Sequence, residues 1–66
     1  MTIVQTTAMN LRVGDTLALD SGNYLVRVEH VALRRGFEIE IKYRNGRSPQ
    51  LHAMTVSKYT KLNLAK

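Results

Sequence analysis

Phe37-Glu38-Ile39-Glu40-Ile41-Lys42-Tyr43-Arg44, followed at once by Asn45-Gly46, is the stretch of this chain that decides its fold. Phe37, Ile39, Ile41 and Tyr43 share one parity, and Glu38, Glu40, Lys42 and Arg44 share the other. A period of two places the first set on a core face and the second on a solvent face of a β-strand. Asn45-Gly46 then supplies residues that accept a positive φ, the common signature of a hairpin turn.

The return strand tests how that hairpin is built. A two-residue loop would pair Arg44 with Arg47 and set Gln50 and His52 beneath Ile41 and Ile39. One more loop residue pairs Arg44 with Ser48 and brings Pro49, Leu51, Ala53 and Thr55 against Tyr43, Ile41, Ile39 and Phe37. A slip of one residue exchanges the two faces, so apolar matching favours the second register. The expectation is a three-residue Asn45–Arg47 loop with a glycine bulge, and His52 facing outward opposite Glu40.

Outward from this hairpin, short β-rich segments alternate with turn residues. Tyr24–Leu33 precedes it, ending at Arg34-Arg35-Gly36, with His30 on the face of Tyr24, Val26 and Val28. Before that lie Thr2–Ala8, a turn at Asn10–Asp15, Thr16–Leu19 and a turn at Asp20-Ser21-Gly22-Asn23. Residues 56–59 leave room for one 3-10 turn, and Thr60–Leu64 reads as a last strand. Five to six short antiparallel strands with turns between them predict an all-β fold, a small SH3-like barrel forming one domain over residues 1–66.

Sixty-six residues without cysteine exclude a disulfide framework and a thiolate zinc site. Two histidines, His30 and His52, are too few for a metal centre, so no metal and no cofactor is expected. The N-terminal ten residues lack a basic start and an apolar stretch, and no apolar run nears the ~20 residues that span a bilayer. A cytoplasmic location without membrane contact is the expectation. Ser21, Ser48 and Ser57 sit where turns and caps use serine. Glu38 and Glu40 lie on a solvent-facing strand side among basic residues, so no catalytic constellation emerges and the chain is not expected to be an enzyme.

Charge is distributed unevenly. Residues 1–40 carry four arginines against five acids, a net −1, whereas residues 41–66 carry six basic residues and no acid. That asymmetry points to an anionic partner. The candidate contacts are Arg34 and Arg35 at one turn, Lys42, Arg44 and Arg47 around another, and Lys58 and Lys61 near the end, with His52 beside phosphate. Tyr59, set between Lys58 and Lys61, has the surroundings of a base-stacking ring.

Asn10-Leu11-Arg12-Val13-Gly14-Asp15, Leu19-Asp20 with Gly22, Tyr24–Val28, and His30-Val31 followed by Arg34-Arg35-Gly36 together resemble the SH3-like, KOW-type N-terminal domain of the bacterial elongation factor P family. The resemblance covers residues 10–46 and implies a β-barrel with Arg34 and Arg35 at a tip facing RNA. The tip is shorter than in that family and lacks its lysine, so the resemblance implies the fold and a nucleic-acid bias rather than an elongation-factor role. The resulting expectation is a non-enzymatic DNA- or RNA-binding protein. The alternative is a protein-interaction module, an accessory or inhibitory protein of the phage or plasmid type, acting through its loops or a strand edge, alone or as a homo-oligomer.

Overall fold

The computed structural model describes residues 2–19, 24–46 and 49–66. Six antiparallel strands form one sheet: β1 (Ile3–Thr7), β2 (Thr16–Leu19), β3 (Tyr24–Arg34), β4 (Glu38–Arg44), β5 (Leu51–Ser57) and β6 (Lys61–Ala65). Their spatial order is β1-β6-β2-β3-β4-β5, a small barrel-like all-β fold. No described helix is long and apolar enough to cross a membrane. The predicted turn at residues 20–23, and Arg47 with Ser48, lie outside the described residues.

The core consists of Ala8, Leu11, Leu17, Val26, Val28, Ile39, Ile41 and Leu64. Among the described residues Leu17↔Leu64 is the one pairing between β2 and β6, and it joins the β1–β6 ladder to the β2–β5 meander. Leu17 is fully buried there. Ahead of β2, Gly14 adopts φ 97°, a conformation in which side chains other than glycine's are strained. Its N–H donates to the Val28 carbonyl, and Val28 N–H donates to the Asp15 carbonyl. These bonds extend the β2–β3 pairing past Thr16↔Arg27.

β3 changes face halfway along. Val28 pairs with Tyr43, but the next partner pair is His30↔Lys42, leaving Glu29 as a bulged residue. Before the bulge the inward residues are Val26 and Val28; after it, Val31 and Leu33 fall opposite Ile41 and Ile39. His30 therefore turns outward and is exposed, contrary to the expectation that it shares the face of Val26 and Val28. The spacing of apolar residues explains the shift. A flat β3 carrying on from Val28 would bury His30 and Arg34 and expose Val31, whereas one extra residue keeps apolar side chains on one side.

The β4–β5 hairpin departs from the predicted register. Arg44 pairs with Leu51 instead of Ser48, leaving a six-residue connection over residues 45–50. Ile41 then opposes Met54, and Ile39 opposes Val56. The predicted pairing would have covered these isoleucines with Leu51 and Ala53; the observed one uses Met54 and Val56, both packed on the core. Swapping alanine for larger apolar chains buries more area. The connection is tied down by Arg44 Nη1 donating to the Pro49 carbonyl at 2.8 Å and by Asn45 Nδ2 donating to the Tyr24 hydroxyl at 2.7 Å.

The helical turn expected at residues 56–59 is absent. Val56 and Ser57 complete β5, and Thr60 N–H donates to the Ser57 carbonyl across a β-turn. The 3-10 helix instead spans Ala8–Asn10, where Ala8 and Met9 donate to the carbonyls of Thr60 and Lys58.

Because Leu17 anchors the single β2–β6 link, Leu17→Ala should cost about 2–5 kcal/mol, a large share of the stability of so small a domain. Leu33, 61% exposed, should lose under about 1 kcal/mol on truncation. Urea denaturation of the two variants checks this; equal losses would show that the barrel does not depend on the Leu17–Leu64 junction.

Candidate nucleic-acid interface

The outward rows of the β3–β4 ladder follow directly from its register. They read Arg27↔Arg44, His30↔Lys42, Ala32↔Glu40 and Arg34↔Glu38. The bulge at Glu29 is what brings His30 into this series. Without it, Arg27 would be followed on the outer face by Glu29 rather than His30.

The two halves of this face differ electrostatically. At the turn end, Arg34 Nη2 meets Glu40 Oε1 at 3.0 Å, and Arg35 Nε lies 3.9 Å from Glu38. Both acids of β4 are engaged there. At the other end Arg27 and Arg44 stand directly opposite one another, an arrangement that destabilises a sheet by roughly 0.2–1 kcal/mol. Glu29 reaches Arg44 at 3.9 Å. Arg27 and Lys42 have no acidic partner among the described residues. His30, with its ring nitrogens as further hydrogen-bonding groups, lies between them. Three cations and an imidazole thus share one strand-built area, flanked by Thr16 opposite Arg27 and by Leu51 and Ala53 opposite Arg44 and Lys42.

A second group forms at the turn end. Arg34, Arg35 and Glu38, with Thr55 of β5, line an open depression of about 410 Å³. Arg35 adopts φ 54° and Gly36 φ 77°, the backbone of a type I′ turn closed by Phe37 N–H donating to the Arg34 carbonyl. A left-handed conformation is unfavourable for arginine, and such strain is concentrated at functional positions. The Arg35 side chain is 83% exposed. Nearby, Lys58 N–H donates to the Phe37 carbonyl at 2.8 Å, which holds the segment bearing Tyr59 against the start of β4. Phe37 and Tyr59 are both largely exposed, and Lys58 Nζ sits 5.2 Å from the centre of the Tyr59 ring.

The residues singled out in the sequence therefore divide. Arg34, Arg35, Lys58 and Tyr59 gather at the turn end, while Lys42 and Arg44 belong to the other end. Six residue steps along β4 lead from Glu38 to Arg44, about 20 Å at ~3.3 Å per residue. Lys61 pairs with Thr7 on β6, which β2 separates from β3. Arg47 lies outside the described residues.

His52 is not opposite Glu40. It faces inward against Tyr43, with ring centroids 5.6 Å apart and planes inclined by 23°. The three-residue register shift that brings Met54 and Val56 inward carries His52 with them. Its stacking on Tyr43 at the barrel rim gives it a packing role, and Glu40 takes Arg34 as its partner instead.

Sequence reading overlooked Arg27, His30 and Phe37. Arg27 had a visible signal, since it alternates with Val26 and Val28. His30 required the bulge, whose trace is the change in apolar spacing from two between Val26 and Val28 to three between Val28 and Val31. Phe37 has core parity but lies beyond the point where core contacts end.

No protein-family model matches this chain, and neither does any curated protein or solved structure.

Arg35→Asn places a residue that tolerates the left-handed region at the turn. Thermal or urea denaturation should show a gain of up to about 1 kcal/mol. A loss of stability would mean that the Arg35–Glu38 ion pair outweighs the backbone strain.

Proposed function

We propose that this protein binds nucleic acid without catalysis, holding phosphates on the outer face of β3 and β4 through Arg27, Lys42 and Arg44, with His30 as an additional hydrogen-bonding group. The observation carrying this reading is the opposition of Arg27 and Arg44 beside Lys42, which has no acidic partner among the described residues. Like charges across a strand pair weaken the fold, and a phosphate between them converts that repulsion into attraction.

The turn end supplies a second contact about 20 Å along the same strand. Arg34 and Arg35 there serve as phosphate contacts, and the exposed rings of Tyr59 and Phe37 as stacking surfaces. Stacking is tolerant of sequence because every base has a π-face. Binding is accordingly of low sequence specificity, with most of its affinity from phosphate contacts. The likeness of residues 10–46 to the KOW-type domain of elongation factor P supports the same assignment, since that likeness puts Arg34 and Arg35 towards RNA.

Titration of single- and double-stranded DNA and RNA oligonucleotides over a range of salt tests the proposal. Five phosphate contacts on a duplex, at Arg27, Lys42, Arg44, Arg34 and Arg35, give a slope of log affinity against log salt near about −4.5. Arg27→Ala should flatten it by about 0.9 and, by removing the repulsion with Arg44, raise stability by up to about 1 kcal/mol. Lys66→Ala should change neither. Failure of all four nucleic acids to bind at low salt, or an unaltered slope for Arg27→Ala, would overturn the assignment.

A further inference from the structure

β5 pairs with β4 on one side only, and its other edge has no strand partner among the described residues. The register shows which of its groups are free. Lys58 N–H bonds to the Phe37 carbonyl, and Phe37↔Lys58 continues the pairing Glu38↔Ser57, Ile39↔Val56 and Ile41↔Met54. In an antiparallel ladder hydrogen-bonded and non-bonded pairs alternate. Val56, Met54 and His52 therefore aim their peptide groups at β4, while Leu51, Ala53, Thr55 and Ser57 aim theirs away. The Ser57 carbonyl accepts from Thr60, and Lys58, next along, accepts from Met9, so the open edge stops there.

An open edge of this kind is a template for another chain, and proteins usually block it with charge, proline or a bulge. β5 has none of these. Leu-His-Ala-Met-Thr-Val-Ser contains no acid, lysine, arginine or proline, and its pairing with β4 runs unbroken from Leu51 to Ser57.

We infer that this edge pairs with the β5 edge of a second copy of the chain, antiparallel about a two-fold axis through Met54. That register joins Ala53 to Thr55 of the other copy through the outward peptide groups in both directions, and lets Ser57 N–H of the other copy donate to the Leu51 carbonyl, the Ser57 carbonyl already accepting from Thr60. It also continues each face. On the inner side the row reads Ile41, Met54, Met54, Ile41 across the two copies. On the outer side, Lys42 and Ala53 meet Thr55 and Glu40 of the second copy, and Arg44 and Leu51 meet Ser57 and Glu38. The basic half of each β4 thus lies along the acidic half of the other, separated by small or uncharged side chains.

The free edge of β1 is the competing surface. Neither β1 nor β6 carries an acid, so β5 paired to β1 would set Lys42 and Arg44 on the same rows as strands without opposite charge. It would also be a head-to-tail contact, which propagates rather than closing as a dimer.

Sedimentation equilibrium should find a concentration-dependent species of twice the 7.5 kDa chain mass. Ala53→Lys puts a charge on the shared edge, and Thr55→Pro removes an outward N–H while sparing the β4 ladder. Both should be monomeric with a wild-type circular dichroism spectrum. Because the chain has no cysteine, Met54→Cys should oxidise to a covalent dimer, its facing Cα atoms being about 4.5 Å apart in a non-bonded pair. Gln5→Cys on β1 should not. A wild-type monomer at about 1 mM, a dimer indifferent to both edge variants, or cross-linking through Gln5→Cys in place of Met54→Cys would each overturn the inference.

Discussion

Glu29 has no residue paired opposite it in the β3–β4 ladder, and that single extra residue in β3 determines what lies on either side of the sheet. Inward, it carries the apolar series from Val26 and Val28 across to Val31, which packs on the core. Outward, it places His30 next in line after Arg27 and opposite Lys42. The opposing ladder has no matching irregularity, so β4 keeps strict alternation and buries Ile39 and Ile41 throughout. Burial of the core and assembly of the basic area thus follow from one event. Apolar surface supplies the driving force, since exposing Val31 while burying His30 and Arg34 would forfeit area and strand polar groups away from water.

The same balance accounts for the hairpin beyond. A tight Asn-Gly turn is locally favourable, but the connection between Arg44 and Leu51 is longer. Seating Met54 and Val56 over Ile41 and Ile39 gains apolar contact that a shorter loop would lose. Loop closure costs grow only with the logarithm of length, so a few additional residues are a small penalty against this packing. Arg44 contributes to both sides of the outcome. Its guanidinium anchors the loop through the Pro49 carbonyl and stands opposite Arg27 on the outer face.

Much of the architecture was legible in the sequence because alternation and turn chemistry act locally. Thr16–Leu19 is read to the residue, and the strand at Phe37–Arg44 differs only by Phe37. What escaped was non-local. The inward turn of His52 depends on comparing the burial offered by two sets of four residues, and matching Leu51 and Ala53 to Ile41 and Ile39 selects the wrong one. The outward turn of His30 depends on a bulge whose evidence is a single change of spacing. Among the site residues, Arg34, Arg35, Lys42 and Arg44 are legible from charge alone. Their division into two groups is not, because it rests on which ends of β3 and β4 meet.

The protein keeps a like-charge pair and a left-handed arginine on one face, two features that weaken the fold locally and that a polyanion would repay. Amide chemical-shift mapping of the labelled protein with a short single-stranded oligonucleotide at low salt tests this account most directly. It predicts that the largest shifts fall at Arg27, His30, Lys42 and Arg44, with a second set at Arg35, Phe37 and Tyr59, all reversed by added salt. Shifts confined to β1 and β6, or none at any ratio of oligonucleotide to protein, would contradict it.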